Sequence, residues 1–304
     1  LTGSIPSSEM TFIMSESDLY LLGGSAREAE RLRKQIQELA GEARWLLDQL
    51  QIRPGARAIE LGCGPQGVLE LLSERVGPSG TVVGLDKNEG FVASARKHMA
   101  EQRRTNVEVV QGDARATNLP KESFDVVFCR LLLVNVPEPE QVVQEMVSLL
   151  RPGGVIASHE ADYLPHMCDP PSPAWDRLFE IFQAYTRAKG VDLFVGRRVH
   201  RMLRDAGIVE IQVNPVIHVY PHGHNRRSIF LDFVQNIRDE LVRDGFAKDE
   251  ELNALTQDLK RHCDDPDTLV VSHLFFQVWG RKPEGQISSG PRSQWPGESG
   301  DSSK

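Results

Sequence analysis

Between Ser25 and Leu50 the apolar side chains fall at Leu32, Ile36, Leu39, Ala43, Leu46, Leu47 and Leu50. Steps of three and four residues place them on one face of a helix. A break is expected near Gly41, and Ser25 with Glu28 has the spacing of a capping box. Pro54-Gly55 ends this region, after which the period changes. Short apolar runs of strand length stand at Arg57–Leu61, Thr81–Leu85, Val107–Gln111, Phe124–Cys129 and Val155–Glu160. Segments of helical period separate them at about 66–76, 89–102 and 138–150, with stops at Gly77-Pro78-Ser79-Gly80 and Arg151-Pro152-Gly153-Gly154. Phe124–Cys129 is apolar at nearly every position, as a strand covered on both faces must be. Repeated strand–helix units joined by short turns imply a doubly wound parallel sheet of the α/β class.

The pattern is less regular after Asp162. Residues 163–173 are proline-rich. A helix is expected at 174–189, carrying Trp175, Phe179, Phe182 and Tyr185, and another at about 196–206, ending at Ala206-Gly207. A strand follows at Val209–Tyr220, then two helices at 226–244 and 248–262, then a last alternating strand at Thr268–Gly280. Some 40 residues of helix between two strands is long for a connection and reads as a lid. Residues 1–17 read as a mobile leader, with structure starting near Asp18–Leu22, and the polar tail from about Lys282 reads as disordered.

Composition narrows the function classes. The chain has 304 residues, 40% hydrophobic and 26% charged, with a net charge of −8, which suits a globular protein of one large or two small domains. An acidic balance argues against a broad nucleic-acid surface, which needs a basic face. Cys63, Cys129, Cys168 and Cys263 are far apart and form no Cys-x-x-Cys, as expected of reduced thiols in a cytoplasmic protein. No run reads as a membrane span or secretory leader.

The chemistry concentrates at Ala58-Ile59-Glu60-Leu61-Gly62-Cys63-Gly64-Pro65-Gln66-Gly67. An apolar strand ends in a carboxylate and passes through a glycine loop into Val68-Leu69-Glu70-Leu71-Leu72, a helix start. Such a loop cradles a nucleotide-type ligand, and Gly62, Gly64 and Gly67 fit the dinucleotide spacing. Two residues disfavour a pyrophosphate. Glu60 would face it with negative charge, and Pro65 removes a backbone N–H. The stretch Glu-x-Gly-x-Gly-x-x-Gly resembles motif I of the class I S-adenosylmethionine-dependent methyltransferases, and a nicotinamide enzyme is the competing reading.

That resemblance spans about residues 20–281. It implies a Rossmann-like, seven-stranded, mostly parallel sheet whose last two strands form an antiparallel hairpin. The helical lid would comprise the N-terminal helices and the insertion in that hairpin. The expected segments are 1–17, 18–53 (lid), 54–162 (cofactor core), 163–281 (rest of the sheet with lid insertions) and 282–304. Glu60, Gly62 and Gly64 would hold S-adenosylmethionine. Asp86, followed by Lys87, would reach the ribose hydroxyls, or cap the next helix. Gly112, Asp113 and Ala114 would receive the adenine, or form a simple turn. Arg130 would pair with the cofactor carboxylate or a nearby acid. The pattern Tyr20…Ser25-x-x-Glu28-x-x-Arg31-Leu32-x-x-Gln35 resembles a lid segment of actinomycete small-molecule methyltransferases. It offers Tyr20 and Arg31 to the same carboxylate, unless the helix simply carries a solvated charged face.

His159, Glu160 and Asp162 follow the fifth strand and are the acid–base candidates, with Tyr163 and His166 nearby; each has a structural alternative. His218, His222 and His224 lack partner ligands at metal spacing, so no metal is expected. The tract after Arg130 is not the Asn/Asp-Pro-Pro-Tyr/Phe of nucleobase-amine methyltransferases. The resemblance to natural-product enzymes implies a hydrophobic small-molecule acceptor, with a geranylated indole methylated on carbon as the leading candidate. O- or N-methylation of another metabolite is the alternative. It further implies S-adenosylhomocysteine as product, no nucleic-acid or membrane partner, and a homo-oligomer with a possible exchange of N-terminal segments.

Overall fold

The computed structural model describes residues 26–163 and 167–285. In chain order the elements are α1 (Ala26–Glu38), α2 (Ala40–Gln49), β1 (Arg57–Leu61), α3 (Leu69–Val76), β2 (Thr81–Asp86), α4 (Glu89–Glu101), β3 (Val107–Gln111), β4 (Phe124–Arg130), α5 (Pro139–Leu149) and β5 (Leu150–Asp162). They continue as β6 (Met167–Asp169), α6 (Pro173–Ala188), α7 (Val199–Asp205), β7 (Val209–Val216), β8 (Val219–Tyr220), α8 (Ile229–Asn236), α9 (Arg238–Arg243), α10 (Asp249–Asp264), β9 (Leu269–Val271) and β10 (Leu274–Arg281). Tyr20, Ser25, His166, the leader and nearly all of the tail lie outside the described residues.

Seven strands form one sheet in the order β3-β2-β1-β4-β5-β10-β7. β1 to β5 run parallel, and β10 is antiparallel to both neighbours. This is the expected Rossmann-like sheet with its closing hairpin. The order reverses between β1 and β4, so the carboxyl ends of these strands open a crevice there. β4 is central and its residues 126–130 are all buried, which explains its unbroken apolar run.

Two apolar layers cover the sheet. Leu46, Leu47, Leu69, Leu72, Val92 and Met99, from α2, α3 and α4, pack on Ala58, Val82 and Phe128. On the other face Val142, Met146, Leu178, Phe182 and Leu203, from α5, α6 and α7, pack with Ile59, Val127 and Ile156, and the insertion joins this layer through Phe230, Phe233 and Leu259.

Several boundaries differ from the sequence reading, each for a local reason. The N-terminal helix breaks at Leu39 rather than Gly41. Its first helical turn after the break is capped by the Ala43 N–H to Leu39 carbonyl bond. The helix expected at 226–244 divides at Ile237 into α8 and α9. The strand expected at 209–220 divides before His218, and that expected at 268–280 divides at Ser272-His273. The two breaks are tied to each other. Ser272 donates its N–H to the His218 carbonyl at 2.8 Å, and the His218 N–H returns to Ser272 Oγ at 2.9 Å. The freed end β9 pairs with both β8 and β6 in a separate three-stranded sheet, which the proline-rich composition of 163–173 concealed.

Candidate functional site

The glycine loop after β1 is held from two sides. Gly62 and Cys63 both donate backbone N–H groups to the Leu85 carbonyl, at 2.8 and 3.0 Å. Glu60 is buried and its carboxylate accepts the Val68 N–H at 2.7 Å. Gly67 has φ +61°, and a Cβ there would lie 2.2 Å from Glu60 Oε2. The glycine therefore makes room for the carboxylate that fastens the loop to the head of α3. Burial pushes the Glu60 carboxyl up to about 8, against the pull of the Arg130 charge.

Asp86, at the end of β2, accepts the Gly64 N–H at 2.8 Å and the Asn88 N–H at 2.9 Å. The cap of α4 is Asn88, whose side chain accepts the Phe91 N–H. Asp86 is thus left to bind the loop and whatever lies beside it. Burial raises its carboxyl above the ordinary range. Asp113, after β3, forms a two-point pair with Arg115, at 2.7 and 3.1 Å, with Lys87 at 3.7 Å. The Arg115 bond pulls the Asp113 carboxyl down to about 2.

Arg130 closes β4. It is buried, its Nη1 has no hydrogen-bond partner, and among the described residues no carboxylate approaches it within ion-pair distance. Arginine cannot shed its proton, so an unpaired guanidinium in the interior calls for an anion. Arg31 is in the opposite condition. Its Nε and Nη2 grip the buried Glu28 at 2.8 and 2.6 Å, its Nη1 reaches Gln35 at 2.9 Å, and its charge sits 5.1 Å from the centre of the Phe233 ring. Asn236 of α8 also bonds Glu28, at 2.8 Å, so this cluster ties α1 to the insertion.

One cavity of about 480 Å³ brings these groups together, within the range of small-molecule sites. Arg31, Glu60, Gly62, Gly64, Asp86, Lys87, Gly112, Asp113, Ala114 and Arg130 all line it. Leu32, Ile36, Val134, Val136, Tyr163, Phe233 and His273 also line it. The residues fit the expected cofactor. Glycines leave the backbone open, two carboxylates stand at the ends of β2 and β3, and an orphaned cation at β4 suits an amino-acid carboxylate.

The structure does not bring His159, Glu160 and Asp162 to this cavity. Glu160 accepts the N–H groups of Leu132, Leu133 and Val134 at 3.0 to 3.3 Å, so it shapes the turn that forms the cavity floor. Burial raises its carboxyl to about 7. Asp162 is locked by Arg197 at 2.5 and 2.6 Å. His159 is buried with neither ring nitrogen bonded and packs edge-on to Phe275; burial pushes it down to about 3, so it stays neutral. Three polar residues within four positions at the carboxyl edge look like catalysis in sequence, yet Glu160 and Asp162 are taken by partners and His159 is buried off the cavity.

The sequence reading passed over His273, which precedes β10 in the middle of a supposed strand. It also passed over Asn135 and Arg115, whereas Gln35 stood in the N-terminal lid pattern and lines the cavity. The signal for His273 was the polar Ser272-His273 pair interrupting an apolar alternation. Among the described residues no group of three or more His, Cys, Asp or Glu side chains is placed to hold a metal, and no helix is long and apolar enough to cross a membrane. His218 pairs with Glu42 at 2.9 Å, His222 contacts the Asp264 carbonyl, and His224 accepts the Arg226 N–H.

Residues 52–207 match the family described as "Methyltransferase domain". A 37.1 kDa protein of transposon Tn4556 from Streptomyces fradiae is 34% identical over 182 residues, 58% of this chain and 50% of that one. The demethylmenaquinone methyltransferase of Shouchella clausii is 35% identical over 133 residues, 44% of this chain and 54% of the relative. The chain thus spans about half the length of these curated relatives. Among solved structures, the YcgJ protein of Bacillus subtilis aligns with a TM-score of 0.55 at 16% identity, over 81% of this chain and 100% of that one. A phosphoethanolamine N-methyltransferase of Haemonchus contortus, solved with S-adenosylhomocysteine, aligns at 0.53 and 16% identity, over 80% and 52%. These two likenesses concern the fold.

Proposed function

Since the chain belongs to the methyltransferase-domain family, we propose that it is an S-adenosylmethionine-dependent methyltransferase of a hydrophobic small molecule. The observation that carries this reading is the two-part cavity. Its glycine, Asp86 and Asp113 end suits a nucleoside, and its Leu32, Ile36 and Phe233 end suits an apolar guest. When bound, the cofactor supplies an electrophilic methyl group on a sulfonium. Asp86 would accept the ribose hydroxyls, Asp113 and Ala114 the adenine, and Arg130 the amino-acid carboxylate. Glu60, ionised by a cation beside it, would face the positive end. Gly62, Gly64, Lys87 and Gly112 would form the backbone cradle. Tyr20 belongs to this proposal as a lid residue outside the described ones.

The acceptor proposed is a geranylated indole alkaloid of teleocidin type, methylated on carbon, with cyclisation of the resulting carbocation as a possible sequel. The apolar, aromatic end supports it, since aromatic faces stabilise positive charge, and in-line transfer needs a chamber that excludes water. With Glu160 and Asp162 committed to structural partners and His159 buried away from the cavity lining, none of the three is assigned the role of base in this proposal. O- or N-methylation of another metabolite is the second reading, favoured by the Tyr163 hydroxyl beside the same wall. Relatives named for demethylmenaquinone support a small-molecule acceptor in either case. A cytoplasmic homo-oligomer completes the proposal; light scattering reads its mass.

Calorimetric titration with S-adenosylhomocysteine and with NAD separates this function from a nicotinamide enzyme. Binding of NAD without binding of S-adenosylhomocysteine overturns it. Product mass spectrometry on a prenyl-indole panel then tests the acceptor, and a methyl found only on oxygen or nitrogen rejects C-methylation.

A further inference from the structure

Sheet order divides the cavity. The ends of β3, β2 and β1 lie on one side, and those of β5 and β10 on the other. Asp162 of β5 is paired with Leu274 of β10, so the next residue outward on each strand, Tyr163 and His273, are neighbours over the far end. Their rings stack at 4.6 Å between centroids and 18° between planes. Phe182 and Phe233 lie against the same tyrosine at 6.2 and 6.4 Å, and the Tyr163 N–H is fixed by the Leu193 carbonyl. The ring is therefore clamped on several sides, and the place of its hydroxyl is set before any ligand arrives.

Apolar side chains of Leu32, Ile36, Val134, Val136 and Phe233 line the same cavity, and Phe233 packs against the Tyr163 ring. The cation at this end, Arg31, is already matched by the buried Glu28 and already lies against the Phe233 ring, so the pair leaves little net charge there for a charged ligand to answer. A pocket of this kind holds a ligand by apolar contact and orients it by a few fixed polar groups.

The geometry points to Tyr163 as the acceptor anchor, its hydroxyl bonding an uncharged oxygen or nitrogen of a neutral, largely apolar acceptor. This inference rests on the methyltransferase reading above and names the substrate class of that site. Burial raises the Tyr163 hydroxyl to about 12, which keeps it a donor at neutral pH. His273 and Phe233, both in or beside the insertion, position Tyr163, so the insertion between β7 and β10 sets acceptor choice.

The test uses the full chain saturated with S-adenosylhomocysteine and three probes, 1-naphthol, naphthalene and 1-naphthoate, read by ligand-observed NMR. In the unmodified protein 1-naphthol binds about fivefold tighter than naphthalene, the worth of one neutral hydrogen bond, and tighter than 1-naphthoate. Tyr163→Phe abolishes the preference for 1-naphthol over naphthalene. Naphthalene and S-adenosylhomocysteine affinities stay within about twofold, the scale of a change smaller than one hydrogen bond. A preference that survives in Tyr163→Phe, tighter binding of 1-naphthoate than of 1-naphthol, or binding of no probe overturns the inference. Failure of S-adenosylhomocysteine itself to bind overturns the methyltransferase reading, and this inference with it.

Discussion

Two glycines three residues apart in the same loop are predicted to fail in different ways when given a methyl group. Gly64 and Gly67 have nearly equal positive φ, +59° and +61°. Alanine at either costs about 1–2 kcal/mol for the left-handed backbone. The surroundings then separate them. A Cβ at Gly64 meets nothing within 4 Å, whereas at Gly67 it meets Glu60 Oε2 at 2.2 Å, Glu60 Cδ at 2.8 Å and the Cys63 carbonyl at 2.9 Å. Relief at Gly67 requires Glu60 to swing away and surrender the Val68 N–H. A buried polar group left unsatisfied costs roughly 1–3 kcal/mol more. Gly67→Ala should therefore lose about 2–5 kcal/mol in denaturant unfolding, and Gly64→Ala about 1–2. Ligand binding should reverse the order of harm relative to stability. Gly64 lines the cavity and a methyl there meets no protein atom within 4 Å, so it occupies open space beside the ligand and S-adenosylhomocysteine affinity should fall more than stability predicts. Equal unfolding losses in the two variants would refute the account of Glu60 as the fastener of the loop.

The other predictions concern charge. Asp86→Ala removes an acceptor used by two loop N–H groups and proposed for the ribose. Calorimetry should show at least a tenfold loss of S-adenosylhomocysteine affinity, since each bond to a charged group is worth about 1.5–3 kcal/mol; unchanged binding would misplace the site. Glu60 has its folded-state carboxyl raised to about 8. The folded protein therefore holds a proton that the unfolded chain releases from about pH 4.5 upward, and stability falls as pH rises toward 8, by at most about 1.4 kcal/mol per pH unit. Between pH 7 and 8.5 the apo-protein should destabilise more steeply than Glu60→Gln, which keeps only the slope of the other raised carboxyls such as Glu160; parallel curves would reject this. Arg227 donates to the carbonyls of Tyr220, Cys263, Asp265 and Thr268 at 2.9 to 3.2 Å. Arg227→Lys should lose about 3 kcal/mol, because a point ammonium cannot serve a fork of carbonyls, and an unfolding midpoint within error of the unmodified protein would contradict it.

How far the site was legible follows from which interactions are local in sequence. The cofactor end was readable because its parts lie at strand ends in a repeating βα pattern. Glu60 lies near the end of β1 with Gly62 and Gly64 just after it, Asp86 ends β2, Asp113 follows β3 and Arg130 ends β4, so finding the strands finds the residues, and the structure places all of them on one cavity. What the strands could not reveal is who else claims each side chain. Glu160 is spent on three backbone N–H groups about 27 residues earlier, Asp162 on an arginine 35 residues later, and Arg31 on a carboxylate one helical turn away. Of these only the last, at i and i+3, was visible in the sequence.

The far end depends on pairings that no local pattern encodes. Tyr163 and His273 are 110 positions apart, and they meet because β10 returns antiparallel to β5 in the register that sets Leu274 opposite Asp162. A shift of one residue in that register would turn His273 to the other face. The kink that frees His273 from the strand comes from Ser272 bonding His218, again across the hairpin. Phe233 enters from a helix inside the insertion and is held over the cavity through Arg31 and the Glu28–Asn236 bond. The end proposed for the nucleoside is thus fixed by the parallel core, whereas the end proposed for the acceptor is assembled by the hairpin and its insertion leaning on α1. Changes within 217–273 can therefore alter acceptor choice while Asp86, Asp113 and Arg130 keep their places. That separation lets the core be recognised from half the chain while the identity of the acceptor rests on the other half.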